Sequence, residues 1–346
     1  MPFINDQLAH NEALNERQRY AKLAARRSRF RFEPEVVMAL MRERILGQDR
    51  VLDSMDDLLY TLKADFNSPD RPLAVSLFLG PTGVGKTETV RVLAEAILGS
   101  AEHLCRIDMN TLAQEHYSAA ITGSPPGYVG SKEGQTLFDE DKIKGSFSRP
   151  GIVLFDEIEK ADKQVARAIM NILDTGKLVL SSGNRVIDFS NALIFMTSNL
   201  GVKELATKHQ AHKNSGWFSG FKRSRSDQEI LDQALRKNFD LEFINRIDRI
   251  LPFEWLGEER ITDLVKLELK HLNKRLAAKN AQLHCHDDVL NFLVKDYQSE
   301  YGARDLRRHI RRQLEPALAR AMLEYEESND FTAELELNRV LIEPGS

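Results

Sequence analysis

The sequence predicts an α/β protein in which helices cover both faces of a parallel sheet, followed by a smaller, mainly helical domain. Short and nearly continuous apolar segments alternate with helical patterns through the first 250 residues, as buried parallel strands do. A glycine-rich loop lies between one such segment and a helix. Beyond Phe253 the apolar spacing becomes helical. We therefore expect a helical extension over 1–33, a large domain over 34–253 and a small domain over 254–346.

Four apolar segments are the predicted strands of the large domain. The first is followed directly by the glycine loop and by a helix whose apolar positions include Val90, Leu93 and Ile97. Because the segments are nearly continuously apolar, we expect both faces of the sheet to be covered. The segments are 74–79, 104–107, 151–155 and 192–196.

Three other segments have distinct patterns. Residues 1–33 are polar and helix-prone, and the Glu33-Pro34 pair opens a second helical region. The extension carries an arginine cluster that is either the face of a solvated helix or a docking segment for an adaptor or a neighbouring subunit. The polar stretch 202–236 is predicted to be a loop, and residues 331–337 alternate like a strand. The cluster consists of Arg26, Arg27, Arg29 and Arg31.

Composition and charge limit the classes of partner. The chain of 346 residues is 42% hydrophobic, enough for a sizeable core, and its net charge is −4. This charge gives no global basic field, so nucleic acid and anionic membranes are not the expected partners. The start of the chain lacks a signal-peptide pattern and no apolar run has membrane-spanning length. The expectation is a cytoplasmic protein that acts on proteins or small molecules.

The cysteines and histidines do not indicate a metal centre. Cys105 and Cys285 are too few and too far apart for a disulfide framework or a zinc site. The triplet His284-Cys285-His286 lies in a predicted strand, where neighbouring side chains point to opposite faces. We therefore interpret the triplet as an ordinary strand edge.

The glycine loop is a complete phosphate-binding motif. Its glycines allow successive backbone N–H groups to converge on phosphates, and the helix that follows adds a positive N-terminus. Lys86 is expected to pair with the outer phosphate oxygens and Thr87 to ligate magnesium. The loop consists of Gly80, Pro81, Thr82, Gly83, Val84, Gly85, Lys86 and Thr87. The predicted cofactors are ATP and Mg²⁺.

Two acids follow the strand 151–155. Asp156 and Glu157 emerge at the carboxyl edge of the predicted sheet, where such folds bind ligands, and so beside the phosphate loop. Asp156 suits the magnesium shell, and Glu157 suits a role in polarising the attacking water. The alternative is a surface turn. With the phosphate loop upstream, the pair predicts hydrolysis of the nucleotide rather than binding alone.

From about residue 43 to near the C-terminus, seven motifs occur in the order found in one family. The chain resembles the second AAA+ module of the Clp protein unfoldases ClpA, ClpB and ClpC. This resemblance implies an AAA+ P-loop NTPase core with a small C-terminal domain. The motifs are 44–48, 80–87, 127–130, 156–157, 197–199, 242–248 and 301–304.

The resemblance also implies roles for individual residues. Ile45 and Leu46 match the adenine pocket, and Asn199 matches the sensor that helps to orient water at the γ-phosphate. Arg304 matches the second sensor, and Arg246 matches the arginine finger, which reaches the ATP of a neighbouring subunit. Such groups would stabilise the charge of the transferring phosphoryl group. A finger acting in trans requires a homo-oligomeric ring, which the resemblance implies to be hexameric.

The chain also contains a match to the motif with which the family contacts its protein substrates. Gly127-Tyr128-Val129-Gly130 matches the pore loop in which an aromatic side chain grips a polypeptide; the alternative is a turn with a packed tyrosine. Three functions are therefore compared: an ATP-driven protein unfoldase or remodeller, a subunit that feeds a partner peptidase, and a nucleic-acid motor. The charge and the pore loop favour the first over the third.

The chain also departs from the family pattern. It has no first nucleotide-binding module, middle coiled coil or globular N-terminal domain, so we do not expect disaggregase function. Residues 239–243 replace a usual Arg-Pro pair near the subunit interface, and Gln135 replaces a usual glycine. Ser219 stands in place of the aliphatic residue of the tripeptide, here Ser219-Gly220-Phe221, with which peptidase-coupled members dock. Docking to a peptidase therefore stays an alternative.

Overall fold

A five-stranded parallel sheet forms the centre of the computed structural model. The structure describes residues 28–113, 137–180, 185–202, 204–205, 207, 223–295, 297 and 302–345. The strands lie in the order β2-β3-β6-β1-β7, and every neighbouring pair is parallel. In chain order, the strands of the large domain are β1 (Ala74–Leu79), β2 (Cys105–Asp108), β3 (Gly151–Asp156), β4 (Lys177–Val179), β5 (Val186–Asp188), β6 (Ala192–Ser198) and β7 (Arg249–Pro252). Strands β4 and β5 form a small separate hairpin.

Helices cover both faces of this sheet. Successive strand residues contribute to different cores: Leu77 belongs to one apolar cluster and Phe78 to the other. Every residue of β1, β3 and β6 is buried, as their nearly continuous apolar segments predicted. The expectation was wrong for β2, in which Arg106 and Asp108 are exposed because this strand lies at the edge of the sheet. The helices of this part are α1 (Pro34–Arg44), α2 (Asp49–Lys63), α3 (Lys86–Leu98), α4 (Glu140–Lys144), α5 (Lys163–Thr175), α6 (Arg223–Asn238) and α7 (Leu241–Ile244).

The C-terminal part has its own apolar core and a three-stranded sheet. Its central strand, β9 (Asp330–Glu336), pairs in parallel with β8 (Gln282–Cys285) and antiparallel with β10 (Arg339–Pro344). The predicted strand 331–337 is present, and His284 and Cys285 lie in an edge strand, the first exposed and the second partly buried. The elements are α8 (Glu258–Ala277), β8 (Gln282–Cys285), α9 (Asp287–Lys295), α10 (Gly302–His309), α11 (Glu315–Glu324), β9 (Asp330–Glu336) and β10 (Arg339–Pro344).

The prediction of a loop throughout 202–236 was wrong in its second half. Residues from Arg223 onward form α6, which packs Leu231 and Leu235 against the core beneath the large sheet. These leucines are four residues apart and therefore share one helix face. The rest of the helix is strongly polar, so the apolar face was too narrow to stand out in the sequence. Tertiary contact with the core supplies the stabilisation that the local pattern lacks.

Within the described ranges, no helix combines the length and the apolar character that a membrane span requires. The same residues contain no cluster of three or more His, Cys, Asp or Glu side chains arranged to hold a metal ion. The domain bounds 34–253 and 254–346 remain a prediction.

Candidate nucleotide-binding site

The phosphate-binding loop connects β1 to α3 at the carboxyl edge of the large sheet. Gly80 has a φ of 147°, and a Cβ at this position would lie 2.5 Å from the carbonyl oxygen of Phe253. Only glycine fits both this backbone conformation and this close approach. Gly85, also at positive φ, precedes the first turn of α3, whose N-terminus has no side-chain cap. The loop therefore presents backbone donors and the positive end of a helix dipole.

Lys86 is buried beneath this loop, with 7% of its surface exposed. Its Nζ donates to the carbonyl oxygens of Gly80 and Pro81 and to Oδ1 of Asn199, the last at 2.9 Å. Burial lowers the pKa of Lys86 from 10.5 to about 8, against the attraction of neighbouring carboxylates such as Glu159. An anion bound at the loop would favour the charged form of this lysine.

The two acids at the carboxyl end of β3 have different environments. Asp156 is buried and accepts hydrogen bonds from Thr87 Oγ1 at 3.2 Å and from Thr197 Oγ1. Glu157 has a φ of 59°, a left-handed conformation that is uncommon for such a residue. Its carboxylate accepts from Nδ2 of Asn110 at 2.5 Å. The turn thus separates the two carboxylates, one facing the phosphate loop and the other the end of β2.

Asn199 lies between the phosphate loop and Glu157. Its Oδ1 accepts from Lys86, and its Nδ2 donates to Glu157 at 3.5 Å. The backbone N–H of Asn199 donates to Glu159 at 3.1 Å, which fixes the chain where it leaves β6. The side chain expected to act as a sensor therefore connects the lysine and the acid expected to act on ATP.

A cavity of about 530 Å³ contains these groups. Its volume is within the range of small-molecule and cofactor sites. One part of its wall is apolar and is formed by Ile45 and Leu46 together with Leu256, Leu264 and Leu267 of the C-terminal part. The structure thus places Ile45 and Leu46, the two residues expected at the adenine, in the wall of this cavity. The phosphate loop, Asp156, Glu157 and Asn199 form the polar part.

The C-terminal part docks directly on the phosphate loop. The N–H of Ala303 donates to the carbonyl oxygen of Gly83 at 3.0 Å. A Cβ at Gly302 would lie 2.6 Å from that same oxygen, so glycine is required for the approach. This contact sets the start of α10 over the loop and brings Arg304 into the wall of the cavity. Buried Glu268 of α8 binds Nε of Arg307 at 2.7 Å and holds the next turn of α10.

Arg246 lies apart from the cavity. It precedes β7, whose residue Arg249 pairs with Ser76 near the start of β1. The phosphate loop begins at the other end of β1, roughly 17 Å away for a six-residue strand. The Nε of Arg246 lies 2.9 Å from Asp174, without the alignment of a hydrogen bond, and its Nη2 donates to Glu242 at 3.4 Å. The structure therefore does not bring Arg246 to its own nucleotide site.

Sequence reasoning missed several residues of the cavity. Arg106 binds Asp156 through Nη2 at 2.6 Å, and Asn110 binds Glu157. Thr197 and Glu159 hold Asp156 and Asn199, respectively. The available signal was the position of Arg106 near the carboxyl end of a parallel strand, the edge of the sheet at which such folds bind ligands. Tyr128, Val129, Gln135 and Ser219-Gly220-Phe221 lie outside the described residues.

Comparisons with known proteins agree with this geometry. The family model of the AAA domain (Cdc48 subfamily) matches residues 71–250. The model of the C-terminal, D2-small domain, of ClpB protein matches residues 256–333. The fold and the site define a nucleotide-binding P-loop protein of the AAA+ class. The chain belongs to the Clp-type AAA+ ATPases, which confirms the resemblance and the expected ATPase activity.

Relatives of two lengths are similar to the chain. The "ATP-dependent protease ATP-binding subunit-like protein AmiB" of Pseudomonas aeruginosa is 46% identical over 92% of this chain and 88% of its own length. An "ATP-dependent protease ATP-binding subunit-like protein" of Rhodococcus erythropolis is 38% identical over 94% and 93%. "Chaperone protein ClpB" of Chlamydia caviae is 37% identical over 86% of this chain, which spans only 33% of that relative.

Proposed function

We propose that this ATPase forms a homo-oligomeric ring, hexameric as in the family it resembles, and uses ATP hydrolysis to unfold or remodel protein substrates. The proposal of a ring rests on the position of Arg246, which lies at the amino edge of the sheet, away from its own phosphate loop. A cation in this position can act on a nucleotide only if that nucleotide is bound to another subunit. About one third of the Arg246 side chain is exposed and its carboxylate partners are exposed, so we expect Arg246 to exchange these partners for a phosphate.

The oxygen ligands at the phosphate loop fit a magnesium ion. Thr87 Oγ1 lies 3.2 Å from Oδ1 of Asp156, and hydroxyl and carboxylate oxygens are ligands that Mg²⁺ prefers. These two residues would hold the ion with the phosphates. Its charge would stabilise the negative charge of the transferring phosphoryl group.

Residues of the cavity have separate tasks in the proposed reaction. Lys86 neutralises the outer phosphate oxygens, and Glu157 polarises the attacking water as a general base. Asn199, already bound to both, orients the water relative to the γ-phosphate. Arg304 adds positive charge from the C-terminal part and makes the position of α10 depend on the nucleotide. This link gives hydrolysis a means of moving one part against the other.

Substrate grip is assigned to Tyr128 and Val129 from the family pattern. An aromatic side chain between glycines offers a large apolar contact without demanding one substrate sequence. Tyr128→Ala should keep ATP hydrolysis and ring assembly but lose the unfolding of a tagged fluorescent protein. Truncating an aromatic residue at a hot-spot contact costs about 2 kcal/mol of binding or more, roughly 30-fold in affinity.

Side-by-side measurement of oligomer size, ATPase rate and unfolding tests this assignment. Tyr117→Ala, in the same stretch but outside the Gly-Tyr-Val-Gly motif, is the matched control and should keep unfolding activity. Full unfolding by Tyr128→Ala would refute the pore role. A joint loss of assembly, hydrolysis and unfolding would instead indicate a packed structural tyrosine.

A second candidate function is a subunit that supplies substrates to a peptidase. The names of the relatives from Pseudomonas aeruginosa and Rhodococcus erythropolis, which match over nearly their full lengths, favour it. Capture of partners on the Glu157→Gln variant in ATP, followed by mass spectrometry, separates the two. A peptidase held in stoichiometric amounts would support the second function, and substrates alone would support the first.

A further inference from the structure

Arg106 extends from β2 into the nucleotide cavity and binds the acid assigned to magnesium. Its Nε and Nη2 both donate to Oδ2 of Asp156, at 3.1 and 2.6 Å. Thr197 donates to the other oxygen, Oδ1, and Thr87 Oγ1 lies 3.2 Å from Oδ1 and 3.4 Å from Oδ2. The Asp156 side chain is 9% exposed, whereas that of Arg106 is 48% exposed. A partly exposed cation therefore binds one oxygen of a buried carboxylate that also contacts the Thr87 hydroxyl.

This pairing affects any second cation that approaches Asp156. A buried carboxylate needs a compensating charge, and the guanidinium supplies it. A divalent ion between Thr87 and Asp156 would lie within a few ångströms of Arg106 and be repelled by it, since like charges at short range interact strongly in a partly buried site. Phosphate groups of a nucleotide would offset this repulsion with their own negative charge.

We propose that Arg106 is a positioning residue whose positive charge neutralises the Asp156 carboxylate when no metal is bound. This charge keeps the affinity of the site for a divalent cation low until a nucleotide supplies further ligands. The inference rests on the metal use proposed above. It has two consequences of opposite sign. Loss of the Arg106 charge strengthens the binding of a metal alone and weakens the binding of a nucleotide without metal, because Asp156 then repels the phosphates.

The experiment uses the full chain with Arg106→Gln, which keeps an amide donor but loses the charge. Binding of Mn²⁺ without nucleotide is measured by electron paramagnetic resonance, and binding of fluorescent ADP is measured in EDTA. We expect about tenfold tighter Mn²⁺ binding and about tenfold weaker ADP binding in EDTA, as for a close charge pair of moderate strength. A merely structural role would weaken both. Mn²⁺ binding no tighter than that of the wild type overturns the inference.

Three variants locate the effect. Arg91 also lines the cavity, but its Nη1 binds Glu88 at 2.7 Å, so Arg91→Gln should leave the Mn²⁺ affinity unchanged. An equal increase in that variant would overturn the inference, since it would reflect the overall charge of the cavity. Adding Asp156→Asn to Arg106→Gln should abolish the tighter Mn²⁺ binding. Arg106→Lys, which keeps the charge, should resemble the wild type.

Failure of the Arg106 inference and failure of the metal proposal can be told apart. If Arg106→Gln unfolds in metal-free buffer, the inference requires Mn²⁺ alone to restore the circular-dichroism spectrum, and a loss that Mn²⁺ does not reverse overturns it. The metal proposal is tested separately on the wild type, by ATP hydrolysis in Mg²⁺ and in EDTA. Equal rates would remove the metal from the reaction whatever Arg106 does.

Discussion

The carboxyl and amino edges of the five-stranded sheet hold their charged groups in different ways. At the carboxyl edge, Lys86 and Asp156 are buried, with only 9% of the Asp156 side chain exposed, and both have partners from several elements. At the amino edge, the side chain of Arg246 is 31% exposed, and its partners Asp174 and Glu242 are 50% and 63% exposed. Exposed ion pairs of this kind are weak. The charged groups of the carboxyl edge are therefore held by buried partners before a ligand binds, whereas the partners of Arg246 are exposed, as its proposed role at the nucleotide of another subunit requires.

The largest expected effect concerns the carboxyl edge. Glu157→Gln should keep ATP affinity but slow hydrolysis by about 100-fold or more, because the attacking water loses its general base. Lys86→Ala should instead lose nucleotide binding, since the phosphates lose a buried cation. Fluorescent-nucleotide titration and phosphate release on both variants measure the two effects. Near-normal turnover in Glu157→Gln would exclude the general-base role.

Arg246→Ala tests whether the amino edge acts in trans. We expect hydrolysis in the assembled ring to fall about 100-fold, within the range for loss of an electrostatic stabiliser of the transition state, with nucleotide binding retained. Mixing this variant with Lys86→Ala subunits should restore part of the activity, at interfaces that combine an intact finger with an intact phosphate loop. The neighbouring Arg249→Ala, on β7, is the matched control. No recovery despite demonstrated subunit exchange would contradict the trans assignment.

A smaller effect follows from the pKa of Lys86, which burial lowers to about 8. Nucleotide phosphates favour the charged lysine, so ADP affinity should be highest below about pH 7 and fall several-fold as the pH rises through 8. Stability has the opposite sign. Between the folded and unfolded pKa values, about 8 and 10.5, the unfolded chain binds more protons, so this residue adds stability as the pH rises.

Calorimetry of ADP binding at about pH 8.5, in two buffers with different ionisation enthalpies, measures this proton uptake. We expect a fractional proton to be taken up per ADP bound. Lys86→Arg, which stays charged at this pH, should take up none. Equal uptake by both proteins would assign the proton to another group.

Particular residues show how much of the fold and of the candidate site could be predicted from the sequence. The strands 74–79 and 151–155 could be predicted because continuous apolar segments have few other stable arrangements. Lys86 was identifiable from the phosphate loop, Asp156 from its position at the end of an apolar strand, and Asn199 from the resemblance to the Clp family; the structure places all three in one cavity. The helix Arg223–Asn238 was missed because its apolar face consists of few residues.

Contacts between distant elements could not be predicted in the same way. The pairs Arg106–Asp156 and Arg307–Glu268 join residues 50 and 39 positions apart. Nothing in the local pattern around either arginine specifies its partner, since each depends on how two elements pack. Asn110 and Thr197 are likewise placed by the ends of neighbouring strands.

The sequence by itself determined the α/β class, the phosphate loop and the acid pair, because these depend on apolar periodicity and on residues close together in the chain. Only the tertiary structure decided that the C-terminal part closes over the loop through Ala303, that Arg106 shares Asp156 with the proposed metal site, and that Arg246 faces away from its own cavity. The physical reason is that electrostatics and hydrogen bonding act over a few ångströms in space, and separation along the chain does not determine those distances.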